Sequence, residues 1–411
     1  MKNMNNLLKK YAELAVKIGV NIQPNQTLVL NTPIECAEFA RLISESAYEA
    51  GAKEVHINWG DEKSARIKYL MAHDEVFDEI PQWLVDSKMH YMEKGAAFLS
   101  IAASNPENLK GCNPERIARF SKASSTALKE FSKRLMSNQN AWSIVSIPTV
   151  DWAKKVFPND SEEVAVEKLW DAIFKIVRID QEDPVVAWET HKNNLKEKMN
   201  YLNSKNLVNL HFKNSIGTDL EMELPDGHIW VGGAEHTQNG VEFIANMPTE
   251  EIFSMPKKTG VNGTVVSSKP LNYGGNLINN FKLTFKDGKV VDFSAEEGYD
   301  SLKHLIETDE GSHYLGEVAL VPFDSPISNS GITFFNTLYD ENASCHFAIG
   351  KAYTLCIENG DKMSDEELEA AGANTSLTHV DFMLGTSDLE ITGFNAKGEE
   401  IKIFTNGNWA F

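Results

Sequence analysis

Cysteine is scarce in this chain: Cys36, Cys112, Cys345 and Cys356 are the only four in 411 residues, and no two stand in CxxC spacing. That excludes a thiolate zinc site and a disulfide scaffold, and leaves reduced, buried thiols of the cytoplasmic kind. No run of about 18 apolar residues occurs, so no membrane span is expected. The opening stretch MKNMNNLLKKYAELAVKIGVNI lacks the continuous apolar core and small-residue cleavage site of a secretory signal. Its Leu7, Leu8, Tyr11, Leu14, Ala15 and Ile18 recur at helical spacing, so an amphipathic helix and a cytoplasmic location are expected. Positive charge is also in short supply, with 39 Lys and Arg against 59 Asp and Glu for a formal charge of −20. Such a field opposes nucleic acid and anionic lipid and favours cations, whether metal ions or the ammonium end of a peptide. Nucleotide motifs are missing too: no GxGxxG follows TLVLNTP, no GxxxxGK[ST] occurs, and no GxSxG elbow surrounds Ser328 and Ser330.

What is present is an ordinary folded composition, 42% hydrophobic and 24% charged, in a chain long enough for two or three domains. Residues 1–183 alternate strand-like runs (TLVLNTP, EVHINWG, AFLSIAA, WSIVSIPT) with helical segments at Glu35 to Ala50, Asp61 to Met71 and Pro114 to Leu135. Such alternation predicts a doubly wound α/β domain with a mainly parallel sheet, serving as scaffold, dimerisation element or cavity wall. Residues 184–206 predict a helical linker on which Trp188 and His191, three apart, form a packed face. From 207 to 411 short runs bounded by Gly, Asn and Asp predict a β-rich α+β domain, a distorted barrel or sandwich. FKDGKVV carries the Asp-Gly of a type I′ hairpin, FNAKGEEIKI a similar turn, and one helix is expected from about Ser294 to Thr308.

The segment SLTHVDFMLG places His379 and Asp381 two apart in a strand-like run, hence on one face. A buried, unpaired carboxylate costs several kcal/mol, so the pair is either a local hydrogen bond in a core strand or two metal ligands. Other metal-compatible groups sit in strand-like stretches of the same half. NMPTEEIFSMP holds Glu250 and Glu251, of which at most one faces a shared site; HYLGEVALVP holds Glu317; ENASCHFAIGKAY holds His346 and Tyr353. Two glutamates, two imidazoles and an aspartate suit a pair of divalent cations. His228 and Trp230 fit a structural turn as well as a substrate path, His313, four before Glu317, fits a solvated loop or a support for that glutamate, and Lys351 fits a surface charge or one behind the site rather than a base.

NMPTEEIFSMP, GEVALVPFDSPIS, LYDENASCHFAIGKAY and THVDFMLG, in that order, resemble the thermophilic-type metallo-aminopeptidase family, that of aminopeptidases T and S, over essentially the whole chain. The resemblance implies metal ligands at Glu251, Glu317, His346, His379 and Asp381, with Glu317 bridging, and a catalytic role for Tyr353. Cys345 departs from the Ser or Ala more usual there. Also implied are two divalent cations per subunit (Zn, Co, Mn or Mg), peptide substrates with a free N-terminus, and a homodimer enclosing its active sites. Glu251, Glu317 and Glu341 each stand as candidates for the general base. Competing expectations are another two-metal amidohydrolase, such as a carboxypeptidase or deacylase, and a metal-stabilised scaffold without turnover.

Overall fold

The computed structural model describes residues 2–273 and 276–411. The chain divides into two compact units, Met1–His191 with Ala234–Pro248, and Lys192–Gly233 with Thr249–Phe411. Among the described residues no helix is long and apolar enough to cross a membrane.

In the first unit β1 (Thr27–Pro33), β2 (Glu54–Gly60), β3 (Ala97–Ile101) and β4 (Trp142–Val145) form a parallel sheet in the order β2-β1-β3-β4. TLVLNTP and EVHINWG are strands over their full length, in unbroken register from Thr27 opposite Glu54 to Pro33 opposite Gly60. Helices fill the connections, and their starts carry side-chain caps: Asp61 accepts from the N–H groups of Lys63 and Ser64, and Asn113 from that of Glu115. The helix expected from Pro114 to Leu135 is two, Pro114–Ala127 and Lys129–Met136, divided at Leu128. Trp188 and His191 meet edge to face at 5.6 Å, a packed helix surface as expected.

One segment departs from a continuous 207–411 domain. Residues Ala234–Pro248 belong to the first unit, because the outer edge of β4 needs backbone partners. Ile144 N–H donates to the Ala245 carbonyl at 2.8 Å, and Met247 N–H donates to the Ile144 carbonyl at 2.9 Å. The linker helix, Pro184–Lys205, runs from the first unit into the second.

The second unit holds a nine-stranded antiparallel sheet and a five-stranded one. Asp287 and Gly288, at φ of 50° and 79°, make the expected tight turn between Asn276–Lys286 and Lys289–Glu297. A Cβ at Gly288 would lie 1.8 Å from the Lys258 carbonyl oxygen, so only glycine fits. The helix expected from Ser294 begins later. Strand pairing holds the chain as far as Glu297 opposite Asn279, and the helix is Tyr299–Ile306. Nor is it alone, since Pro326–Ser330, Thr337–Asp340 and Asp365–Ala370 add short helices.

The five-stranded sheet positions the site. Its strands are β5 (Val231–Gly232), β6 (Ile252–Ser254), β7 (Leu315–Leu320), β8 (His346–Gly350) and β9 (His379–Met383), each antiparallel to its neighbour and ordered as in the chain. Val318, Leu320, Phe347, Ile349 and Phe382 alternate onto one face and join the buried cluster that includes Phe212, Phe281 and Leu283 of the larger sheet. Phe347 stands edge-on to Phe212 at 5.0 Å, and Phe382 lies 5.4 Å from Phe281. Phe347→Ala should therefore cost about 3 to 5 kcal/mol, the range for a fully buried phenyl. Urea unfolding measures this, and an unmoved transition would deny that face its structural role.

Candidate metal centre

The opposite face of the same sheet carries the polar groups. In antiparallel pairing, residues directly opposite share a face. Glu317 lies opposite Ala348, and Ala348 lies opposite Asp381. His346 and His379 precede Ala348 and Asp381 by two positions, so they point the same way. The backbones at Glu317 and Asp381 thus stand roughly 10 Å apart, two strand spacings, across the methyl of Ala348. Small residues in the middle strand leave room for long side chains to converge above them. Gly350, opposite His379, extends this bare strip; its φ is 108°, and a Cβ there would meet the Thr378 carbonyl oxygen at 2.2 Å. Glu251 immediately precedes β6, one residue before the core-facing Ile252, and so turns to the same side.

The side chains converge as two groups of three that share one carboxylate: Glu251, Glu317 and His346, and Glu317, His379 and Asp381. His346 Nε2 is 3.2 Å from Glu251 Oε2 and 3.5 Å from Glu317 Oε1. His379 Nε2 is 3.4 Å from Glu317 Oε2 and 3.4 Å from Asp381 Oδ1. Each oxygen of Glu317 thus serves a different imidazole. Glu250, the other glutamate of the pair, lies outside both groups, its N–H donating to Asn342 Oδ1 at 2.8 Å.

Ring orientation is set by the backbone. His346 Nδ1 donates to the Ser344 carbonyl at 3.2 Å, and His379 Nδ1 donates to the Lys351 carbonyl at 2.7 Å. A carbonyl can only accept, so in each neutral ring the Nε2 lone pair is turned toward carboxylate oxygens. Lone pair facing lone pair requires a proton or a cation between them. Asp381 Oδ1 is sealed from solvent, makes no hydrogen bond with correct geometry among the described residues, and lies 3.4 Å from His379 Nε2. Oriented imidazoles, converging carboxylates and an orphaned oxygen fit a divalent cation with nitrogen and oxygen ligands.

The titration behaviour is that of a site starved of positive charge. Burial opposes charging of His346, yet its contacts with Glu251 and Glu317 outweigh burial and lift the pKa well above the ordinary imidazole value. His379 is raised in the same way, with Asp381 and Glu317 prevailing over burial. Burial alone would raise Glu317, but the two imidazoles reverse that and hold it at about 2. Glu251 is raised, chiefly by burial. Glu341 is raised well above the carboxylate range by burial and by the charges of Asp381 and Glu251.

Tyr353 stands over the second group, its ring 4.6 Å from that of His379. Burial, then the charges of Glu317 and Asp381, push its phenol well above the usual value, so it keeps its proton. The remaining candidates fall outside. His228 Nδ1 bonds the Pro225 carbonyl in a turn, Trp230 is core, and neither His228 nor His313 joins either group. Lys351 is exposed, and it is its carbonyl that matters. Sequence reasoning missed Ser344 and Lys351 as supports because backbone carbonyls carry no residue signature. All four cysteines are buried thiols outside any disulfide, and Cys345 donates to the Val321 carbonyl. The first unit has a separate crevice of about 430 Å³ at the carboxyl ends of β1, β2 and β3, lined in part by Asn31, Asn58, Asp61 and Ser100.

Comparison with known proteins gives the family. The chain is 53% identical to aminopeptidase 2 of Geobacillus stearothermophilus over 404 residues, 98% of each chain. It is 50% identical to aminopeptidase AmpS of Bacillus subtilis over the full length of both. The solved structure of wild-type AmpT from Thermus thermophilus superposes with a TM-score of 0.93 at 39% identity, covering 99% of this chain and 100% of that one. The thermophilic metalloprotease (M29) profile matches residues 4–409. With a carboxylate and imidazole cluster built on one sheet face and a family match from end to end, the chain belongs to the thermophilic metalloprotease family.

Proposed function

We propose that the protein is a metal-dependent aminopeptidase that releases N-terminal residues from peptides, using two divalent cations per subunit. The observation that carries this reading is the pair of ligand groups joined through Glu317. Glu251 and His346 would hold one cation, His379 and Asp381 the other, and Glu317 both. When bound, such cations supply Lewis acidity and a water acidic enough to ionise near neutral pH.

The chain's own groups divide the remaining work. Glu317, kept ionised between two imidazoles, offers one oxygen to each half of the site. Tyr353, kept protonated, can donate to the carbonyl oxygen of a scissile bond as that oxygen gains charge. Glu341, whose carboxyl is pushed up by burial and then by the charges of Asp381 and Glu251, is placed beside Asp381 to carry a proton between the attacking water and a leaving amine. The surplus of carboxylates favours a substrate that presents an ammonium group, which supports cleavage at a free N-terminus over action on acylated amides. Family resemblance supports a homodimer, which sedimentation velocity checks, and the buried thiols outside any disulfide support a cytoplasmic location.

Glu317→Gln should abolish hydrolysis of a leucyl chromogenic amide and reduce bound metal at both positions, whereas Asp381→Asn should lose about one cation and keep the other. Metal analysis after gel filtration distinguishes the two; full occupancy in Glu317→Gln would sink the shared-ligand assignment. Wild-type protein should leave the N-acetylated amide intact, and its cleavage would favour a deacylase.

Cation binding should also release protons, because His346 and His379 hold them above the ordinary imidazole range of about 6.5. Apparent metal affinity should therefore fall as pH drops through the raised imidazole values. Zinc titration of metal-free protein in weak buffer reads this directly, and the absence of acidification at pH 7 would show that both rings are already neutral.

A further inference from the structure

A cavity of about 90 Å³ adjoins the metal centre within the second unit. Asp381 and Met383, two apart on β9, both line it, so it continues along the sheet face that bears the ligands. Leu271 and Asn272 of strand Leu271–Tyr273 and Leu277 of strand Asn276–Lys286 contribute to one wall, and the loop at 333–337 to another. Glu341 completes the polar part of the lining. The cavity is thus amphipathic, with Asp381 of the metal centre, Asp340 and Glu341 in one part of its lining and Leu271, Leu277, Phe335 and Met383 in the rest.

Phe335 is the unusual member. Its φ of 53° lies in the left-handed region, which a bulky aromatic residue rarely adopts. It is held there from both sides. Asp340 Oδ1 accepts the N–H of Phe334 at 2.8 Å, and Asp340 Oδ2 accepts the N–H of Asn336 at 3.1 Å. The Phe334 ring is fully buried and stacks on Tyr339 at 4.9 Å, while Asn336 Oδ1 caps the helix Thr337–Asp340 through Leu338 N–H. Phe334 repays its place by core burial. Phe335 does not, since it is only half-buried and faces the cavity. A left-handed backbone that places a large, half-buried side chain at an active-site cavity points to a residue kept for recognition.

We propose that Phe335, with Leu271, Leu277 and Met383, forms the subsite for the side chain of the substrate's N-terminal residue and sets its size limit. This rests on the aminopeptidase reading. Uncharged aliphatic side chains of leucine or methionine size fit such a lining. Acidic side chains find no Lys, Arg or His in this lining, and large aromatic ones are disfavoured by Phe335.

The test compares kcat/KM for leucyl, phenylalanyl and glutamyl chromogenic amides in metal-loaded wild type, Phe335→Ala and Phe335→Gly. Wild type should prefer the leucyl amide, and both variants should raise the phenylalanyl-to-leucyl ratio by roughly tenfold or more. Phe335→Gly should melt no lower than wild type, because glycine takes the left-handed backbone without strain. Calorimetric titration with free leucine and phenylalanine supplies a readout independent of turnover, and the affinity ratio should move in the same direction. If wild type cleaves these amides but neither ratio moves in the folded variants, Phe335 is not the size limit and the aminopeptidase reading stands. If loaded wild type cleaves no amide with a free N-terminus, both fall together.

Discussion

Glu317 is a nearly inaccessible carboxylate touched by two imidazoles, one at each oxygen, and the rest of the centre is arranged around that sharing. A lone buried carboxylate would take up a proton to escape the loss of water. Here the imidazoles keep it ionised, and they in turn are aimed by the carbonyls of Ser344 and Lys351. The concentration of charge is costly to hold without compensation, and the other side of the sheet supplies stability. Phenylalanine and aliphatic side chains on that side pack into a continuous core, so a strained polar surface rests on a rigid apolar one.

Much of this is legible in the amino-acid sequence. The alternation in THVDFM and CHFAIG separates candidate ligand positions from core positions by strict period two, which the antiparallel register turns into two faces. The hairpin at Asp287 and Gly288 and the parallel strands of the first unit are equally plain, because local turn chemistry and β-branched runs dictate them. The family likeness then selects Glu251 over Glu250, a choice that alternation narrows to one of two and cannot finish.

What escapes a reading of the sequence depends on contacts distant along the chain. Nothing in the composition of Ala234–Pro248 says that it pairs with Ile144, since an open strand edge is a demand made by the other segment. Residues 294–297 look helical because the helix that follows is amphipathic, yet partners on Asn276–Lys286 claim them first. The grip of Asp340 on the chain to either side of Phe335 is also invisible, because an aspartate that binds backbone looks in sequence like any other loop aspartate.

Because the polar groups of the candidate centre and the core residues alternate one by one along β8 and β9, the spacing is as binding as the residue types. Inserting or deleting a single amino acid within either strand would turn the histidines and the aspartate into the greasy interior and bring phenylalanines out among the acids. Such a change loses chemistry and fold together. Length variation among descendants of this sequence is therefore confined to the connections between the strands, and the strands themselves can drift only by substitution.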